Sequence, residues 1–246
     1  MSAVSVWTVF VAALVTALAT GLGAVPLLLF RSSTERALGI ANAVAAGVML
    51  GASLSLVLGG FDRSVPRTLV GALIGLAFIL VAARLVQHDD HAHIGSLHGD
   101  DARKGLLIVA VMTVHSFAEG VGVGAAFGGG AALGILITVA IAVHNIPEGL
   151  AISLVLVPRG VSVPRAAGWS IFSSLPQPLI AVPAFLFVEA AQEILPVGLG
   201  FAAGAMTWMV ASELIPEALK QAPRAAVALT TALSFGAMVA FQLILL

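Results

Sequence analysis

Apolar residues run along this chain in long blocks separated by short polar interruptions. The blocks fall at 4–30, 37–60, 68–87, 105–127, 131–157, 166–188, 197–219 and 225–246. Each is close to, or longer than, the roughly 20 residues that a helix needs to cross hydrocarbon. The pattern predicts an all-α integral membrane protein with eight transmembrane helices. The first block begins near Val4 with no basic stretch before it and continues to Phe30. That is longer than the roughly 7–15-residue core of a secretion signal, so it reads as the first span rather than a leader. An even number of spans puts both termini on one side.

Composition supports a bilayer as the solvent. Of 246 residues, 60% are hydrophobic and 9% are charged, against about 25% charged in an ordinary soluble domain. No soluble domain is inserted, so residues 1–246 read as a single transmembrane domain with one notable polar loop at 88–104. Lys and Arg together number 11. With the N-terminus outside, Arg31, Arg36, Arg84, Arg103, Lys104, Arg159, Arg165, Lys220 and Arg224 fall in inside connections, and only Arg63 and Arg67 fall outside. This asymmetry follows the positive-inside rule and predicts an N-out, C-out, multi-pass protein of the cell (inner or plasma) membrane. The net charge of -1 offers no basic field for nucleic acid. Cysteine is absent, so any metal must be held by His, carboxylate, amide, thioether or backbone oxygen.

Ionisable groups within a span are costly to insert, and by default they mark function. Span four holds His115-Ser-Phe-Ala-Glu119-Gly120, and span five holds His144-Asn-Ile-Pro-Glu148-Gly149. Spacing of i, i+4 puts each His and Glu on one helix face, a turn apart. The Gly128–Gly129–Gly130 turn makes the two spans an antiparallel hairpin, with His115 and His144 equally far from its centre. At 1.5 Å per residue both lie about 20 Å from the turn, near mid-membrane. Two imidazoles and two carboxylates can therefore converge. Their alternative is two separate His–Glu hydrogen bonds, one within each helix. Two buried carboxylates repel, whereas a dication between them cancels both charges. Mixed nitrogen and oxygen donors suit Zn²⁺, Fe²⁺, Mn²⁺, Co²⁺ or Ni²⁺ better than Ca²⁺ or Mg²⁺. Pro147 cannot donate to the carbonyl of Val143, which leaves either an ion ligand, a bending point or an ordinary kink. Pro216 does the same to the carbonyl of Ser212.

These residues resemble those of the ZIP family of divalent-metal transporters. Span five reads His144-Asn145-Ile146-Pro147-Glu148-Gly149, a full match to the family motif, and span four carries a similar one. The resemblance extends through the topology over essentially the whole chain. It implies a ZIP-like bundle and a primary metal site of His115, Glu119, His144 and Glu148, with Met49 as a thioether contributor. It also implies a second metal position at Ser116, Asn145 and the span-six residue Gln177. Here Ser116 replaces Asn and Gln177 replaces Glu, so that position is expected to be weak or unused. Span seven keeps Glu213 and Glu217 of the family pattern as exit-path ligands, with a helix-end charge as the alternative role of Glu217.

The loop at 88–104 contains His88, His91, His93 and His98 among four Asp residues. Such an exposed tract reads as a low-affinity metal collector or as a plain polar linker. The function expected is transport of divalent metal, zinc first with cadmium and iron as competitors, toward the cytoplasm. The metal is then a transported substrate, no cofactor is expected, and the chain is not an enzyme. Membrane lipid and a second copy of the chain are its expected partners. An intramembrane metal-dependent hydrolase, an exporter and a metal sensor are the rival readings; for the hydrolase, no His-Glu-x-x-His motif is present.

Overall fold

The computed structural model of the chain describes residues 4–29, 35–86 and 100–245. Among them all regular structure is helical, and eight helices are long and apolar enough to cross a membrane. Helix α1 covers Val6–Leu22 and is followed by a short helical turn at Pro26–Leu29. Helices α2 (Glu35–Phe61), α3 (Val65–Val86), α4 (Asp100–Gly128) and α5 (Ala131–Leu156) are continuous. Helix α6 occupies Val163–Ala190 in two pieces, Val163–Ser174 and Pro176–Ala190. Helix α7 spans Gln192–Gln221, and α8 is Arg224–Leu245.

The eight expected spans are met one for one. Of the expected polar loop at 88–104, the described residues 100–104 are helical, since α4 begins at Asp100. Apolarity marks where a helix enters hydrocarbon, and the backbone hydrogen bonding of α4 starts before that point. His88, His91, His93 and His98 lie outside the described residues.

The connections alternate between the two ends of the bundle. Arg63, after α2, donates to the carbonyl of Gly129 in the α4–α5 turn at 3.4 Å. Arg67 pairs at 2.8 Å with Glu193, at the start of α7 beside the α6–α7 connection. Gln192 donates to the carbonyl of Gly128 at 3.1 Å. Three connections thus meet at one end. At the other end, Gly39 at the start of α2 lies against Ala222, between α7 and α8.

Proline explains the broken helices. Pro176 and Pro178 cannot donate to Phe172 and Ser174, and α6 divides at Leu175. In α7, Pro216 is preceded by a π-helical segment, Val210–Leu214, where the amide of Ile215 reaches back five residues to Val210. Such a segment is a local insertion in the helix and is common at functional sites. Helix α5 runs through Pro147 without a break.

The helices pack as two groups. Helices α1, α4, α5 and α6 form one, with α1 against α5 and α6, and α4 against α5 and α6. Helices α2, α3, α7 and α8 form the other, with α3 on α7 and α8 on α2. The groups meet along α2–α5 and α4–α7. Close backbone approach holds both together. A Cβ added at Gly149 of α5 would stand 1.7 Å from the carbonyl oxygen of Thr20 in α1. On the other side, Gly71 and Gly75 of α3 meet the carbonyls of Val197 and Phe201, while Gly200 and Gly204 of α7 meet those of Thr68 and Ala72. These are reciprocal small-xxx-small contacts, the means by which helices associate where lipid removes the hydrophobic drive.

Gly204→Ala forces its Cβ to within 2.2 Å of the Ala72 carbonyl and should lower the thermal midpoint of the detergent-solubilised protein. Gly168→Ala, at a helical glycine with nothing within 4 Å, should leave it unchanged or raise stability by about 0.5–1 kcal/mol. Equal midpoints for both variants would show that the α3–α7 seam does not depend on backbone contact.

Candidate metal centre

The α4–α5 hairpin positions the central side chains. Its turn needs glycine at one position, since Gly130 has φ of +127° and opens directly into α5. From that turn the two helices run back side by side, and His115, Glu119, His144 and Glu148 are all buried. One ligand atom from each of the four lies within 4.8 Å of the others. The sequence-predicted cluster is assembled.

Its internal contacts cross between helices. Nε2 of His144 on α5 lies 2.5 Å from Oε1 of Glu119 on α4. His115 Nε2 approaches the same oxygen at 3.1 Å, and His144 Nε2 stands 3.9 Å from Glu148 Oε2. The alternative of two self-contained pairs, one in each helix, does not describe this arrangement. In a tetrahedral zinc sphere with bonds of about 2.0–2.2 Å, neighbouring ligand atoms stand roughly 3.3–3.6 Å apart. The observed separations bracket that range.

Unpartnered polar atoms gather at the same place. Among the described residues, both ring nitrogens of His115, Nδ1 of His144 and both carboxylate oxygens of Glu148 are buried without a hydrogen bond. A buried polar group left unsatisfied costs about 1–3 kcal/mol, and more when charged. Such costs in one spot suit a centre whose donors are meant for a ligand. Two carboxylates and two neutral imidazoles carry a formal charge of about -2, which one M²⁺ neutralises.

Two of the three residues expected at a second metal position, Asn145 and Gln177, are hydrogen-bonded to each other. Asn145 Nδ2 donates to the backbone carbonyl of Thr16 at 2.8 Å and to Gln177 Oε1 at 3.2 Å. Gln177 Nε2 donates to Glu119 Oε2, and the Thr16 hydroxyl contacts Gln177 Oε1. Ser116 is buried with its hydroxyl unpartnered. Sequence reading did not find Thr16. It is a buried hydroxyl residue in an apolar span, which signals a polar neighbour but not which one.

Glu213 and Glu217 are not among the four clustered residues. Met49 on α2 is buried in the same apolar group as Ala140 and Ile141, which precede His144 by one turn of α5. Glu213 lies in the π-helical segment of α7, half-buried. Glu217 pairs with Lys220 at 3.0 Å and accepts a hydrogen bond from Gln221 at 2.7 Å. Its carboxylate thus has two neighbours near the end of α7.

Comparison with known proteins identifies the family. The family described as ZIP Zinc transporter matches residues 84–243, well over half of the chain. A protein of Arabidopsis thaliana, provisionally named a zinc transporter, is 47% identical over 97% of this chain, which spans 39% of that protein's length. Zinc transporter GufA of Myxococcus xanthus is 32% identical, with 84% of this chain and 87% of the relative covered. Zinc transporter ZupT of Corynebacterium glutamicum is 31% identical, with 82% and 85% covered. A buried His–Glu cluster on the α4–α5 hairpin, eight spans and this degree of identity lead to one conclusion: the chain belongs to the ZIP zinc transporter family.

Proposed function

We propose that this multi-pass membrane protein moves divalent transition-metal ions, zinc foremost, through the bilayer by way of His115, Glu119, His144 and Glu148. The observation that carries this reading is the convergence of four buried nitrogen and oxygen donors on adjacent helices. Family membership and relatives named as zinc transporters support it. The protein is a transporter rather than an enzyme, and the metal is its cargo rather than a resident cofactor.

A hydrated dication entering from outside exchanges water for these donors. The two carboxylates cancel its charge, and the imidazoles provide borderline donors that zinc favours over calcium or magnesium. Met49 is a candidate fifth contributor. The end bearing nine of the eleven basic residues faces the cytoplasm of an inner or plasma membrane. Uptake proceeds toward that end past Glu213, then Glu217, to the loop bearing His88, His91, His93 and His98. Movement of α1, α4, α5 and α6 against α2, α3, α7 and α8 along the α2–α5 and α4–α7 seams exposes the site alternately. Lipid, or a second copy of the chain, covers the outward faces of α3 and α8.

Zinc uptake into proteoliposomes should fall at least about tenfold for His144→Ala and for Glu148→Ala, and full flux in both variants would remove the site assignment. Calorimetric titration should find one tight zinc per chain, because the amides of Asn145 and Gln177 are committed to hydrogen bonds; two tight intramembrane ions contradict this. Glu213→Gln should slow flux several-fold with little change in equilibrium affinity. Glu217→Gln should do less, its carboxylate being held by Lys220 and Gln221. The reverse order would reassign the exit route.

A further inference from the structure

The amide network beside the cluster has a direction, and the direction has a chemical consequence. The backbone oxygen of Thr16 can only accept, so the Asn145 atom 2.8 Å from it must be the amide nitrogen. The second hydrogen of that nitrogen points to Gln177, 3.2 Å away, which must present its oxygen there. The nitrogen of Gln177 is then turned to Oε2 of Glu119. Each amide orientation is fixed by the one before it. The relay begins on α1, passes through α5 and α6, and ends on α4. All three residues that supply its side chains, Asn145, Gln177 and Glu119, are buried.

We infer that Gln177 is a positioning residue that makes Glu119 a one-oxygen ligand and thereby favours low coordination number, hence Zn²⁺ over larger cations. Glu119 Oε2 is occupied by the Gln177 amide, while Oε1 faces His115 and His144. Oε1 is thus the oxygen left facing the other three clustered side chains. A glutamate at position 177 has no N–H to give and would set a second carboxylate against Glu119, so the amide is the functional choice. The break of α6 at Leu175 contributes, because it sets Gln177 in the first turn of the Pro176–Ala190 piece. Gly120 contributes as well. Its missing Cβ would lie 2.7 Å from the Gln177 carbonyl oxygen, so the close approach of α4 to α6 depends on it. Small ions such as Zn²⁺ are content with four donors, whereas Mn²⁺ prefers about six. Withholding one carboxylate oxygen penalises the larger shell.

This inference rests on the proposed transport site and is tested on the purified full chain loaded with Co²⁺, whose visible absorption is intense when four-coordinate and weak when six-coordinate. Gln177→Leu removes the donor to Oε2 and lets Glu119 bind through both oxygens. Its Co²⁺ absorption per bound metal should fall at least twofold, and its affinity for Mn²⁺ relative to Zn²⁺ should rise several-fold. Asn145→Leu, which makes no contact with Glu119 in the relay, should change both readings in the same direction by releasing the orientation of Gln177. Retention of the wild-type spectrum and Mn²⁺/Zn²⁺ ratio by monodisperse Gln177→Leu, or by Asn145→Leu where the first variant does not fold, overturns the positioning role. Failure of the site itself looks different: the wild-type Co²⁺ spectrum would then survive His144→Ala.

Discussion

Two carboxylates and two imidazoles at the middle of a membrane are tolerable only if something balances their charge and satisfies their lone pairs. That requirement organises the rest of the protein. His115, Glu119, His144 and Glu148 are buried together with several atoms unpartnered, and hydrocarbon offers them nothing. A divalent ion satisfies both demands at once. A neutral loaded centre is also far easier to hold in low dielectric than a charged one.

The surrounding helices serve this centre in distinct ways. The glycine turn at Gly130 sets α4 and α5 in register. Gly149 lets α1 approach α5 until the Thr16 carbonyl meets Asn145. The proline-broken α6 delivers Gln177 to Glu119. Glycines 71, 75, 200 and 204 clamp α3 to α7 in the other group. Tight contacts hold each group together, and the two groups meet along α2–α5 and α4–α7. In α7, the π-helical segment before Pro216 lies beside this seam and carries Glu213.

Much of this was readable from sequence because the bilayer imposes a length and a polarity on every span. The number of helices followed from the apolar blocks, and the alternation of their connections from the placement of basic residues. The i, i+4 pairs on two spans joined by a glycine turn were enough to place four side chains together. What sequence did not disclose were contacts between distant segments. Nothing local to Glu119 says that its oxygen meets His144 on the neighbouring helix rather than resting with His115 alone. Thr16, Asn145 and Gln177 are separated by up to 161 positions, and their donor–acceptor order exists only once three helices are packed. The start of α4 at Asp100 was missed for a related reason: hydropathy reports the membrane boundary, while the helix obeys its own hydrogen bonds.

The central claim concerns one ion held jointly by both helices of the hairpin, and X-ray absorption at the zinc edge of the loaded, purified protein examines it directly. The account predicts nitrogen and oxygen neighbours at about 2.0–2.2 Å with outer-shell scattering from two imidazoles, falling to one imidazole in either single His→Ala variant. A zinc shell lacking imidazole scattering, or one unaltered by both substitutions, would contradict it.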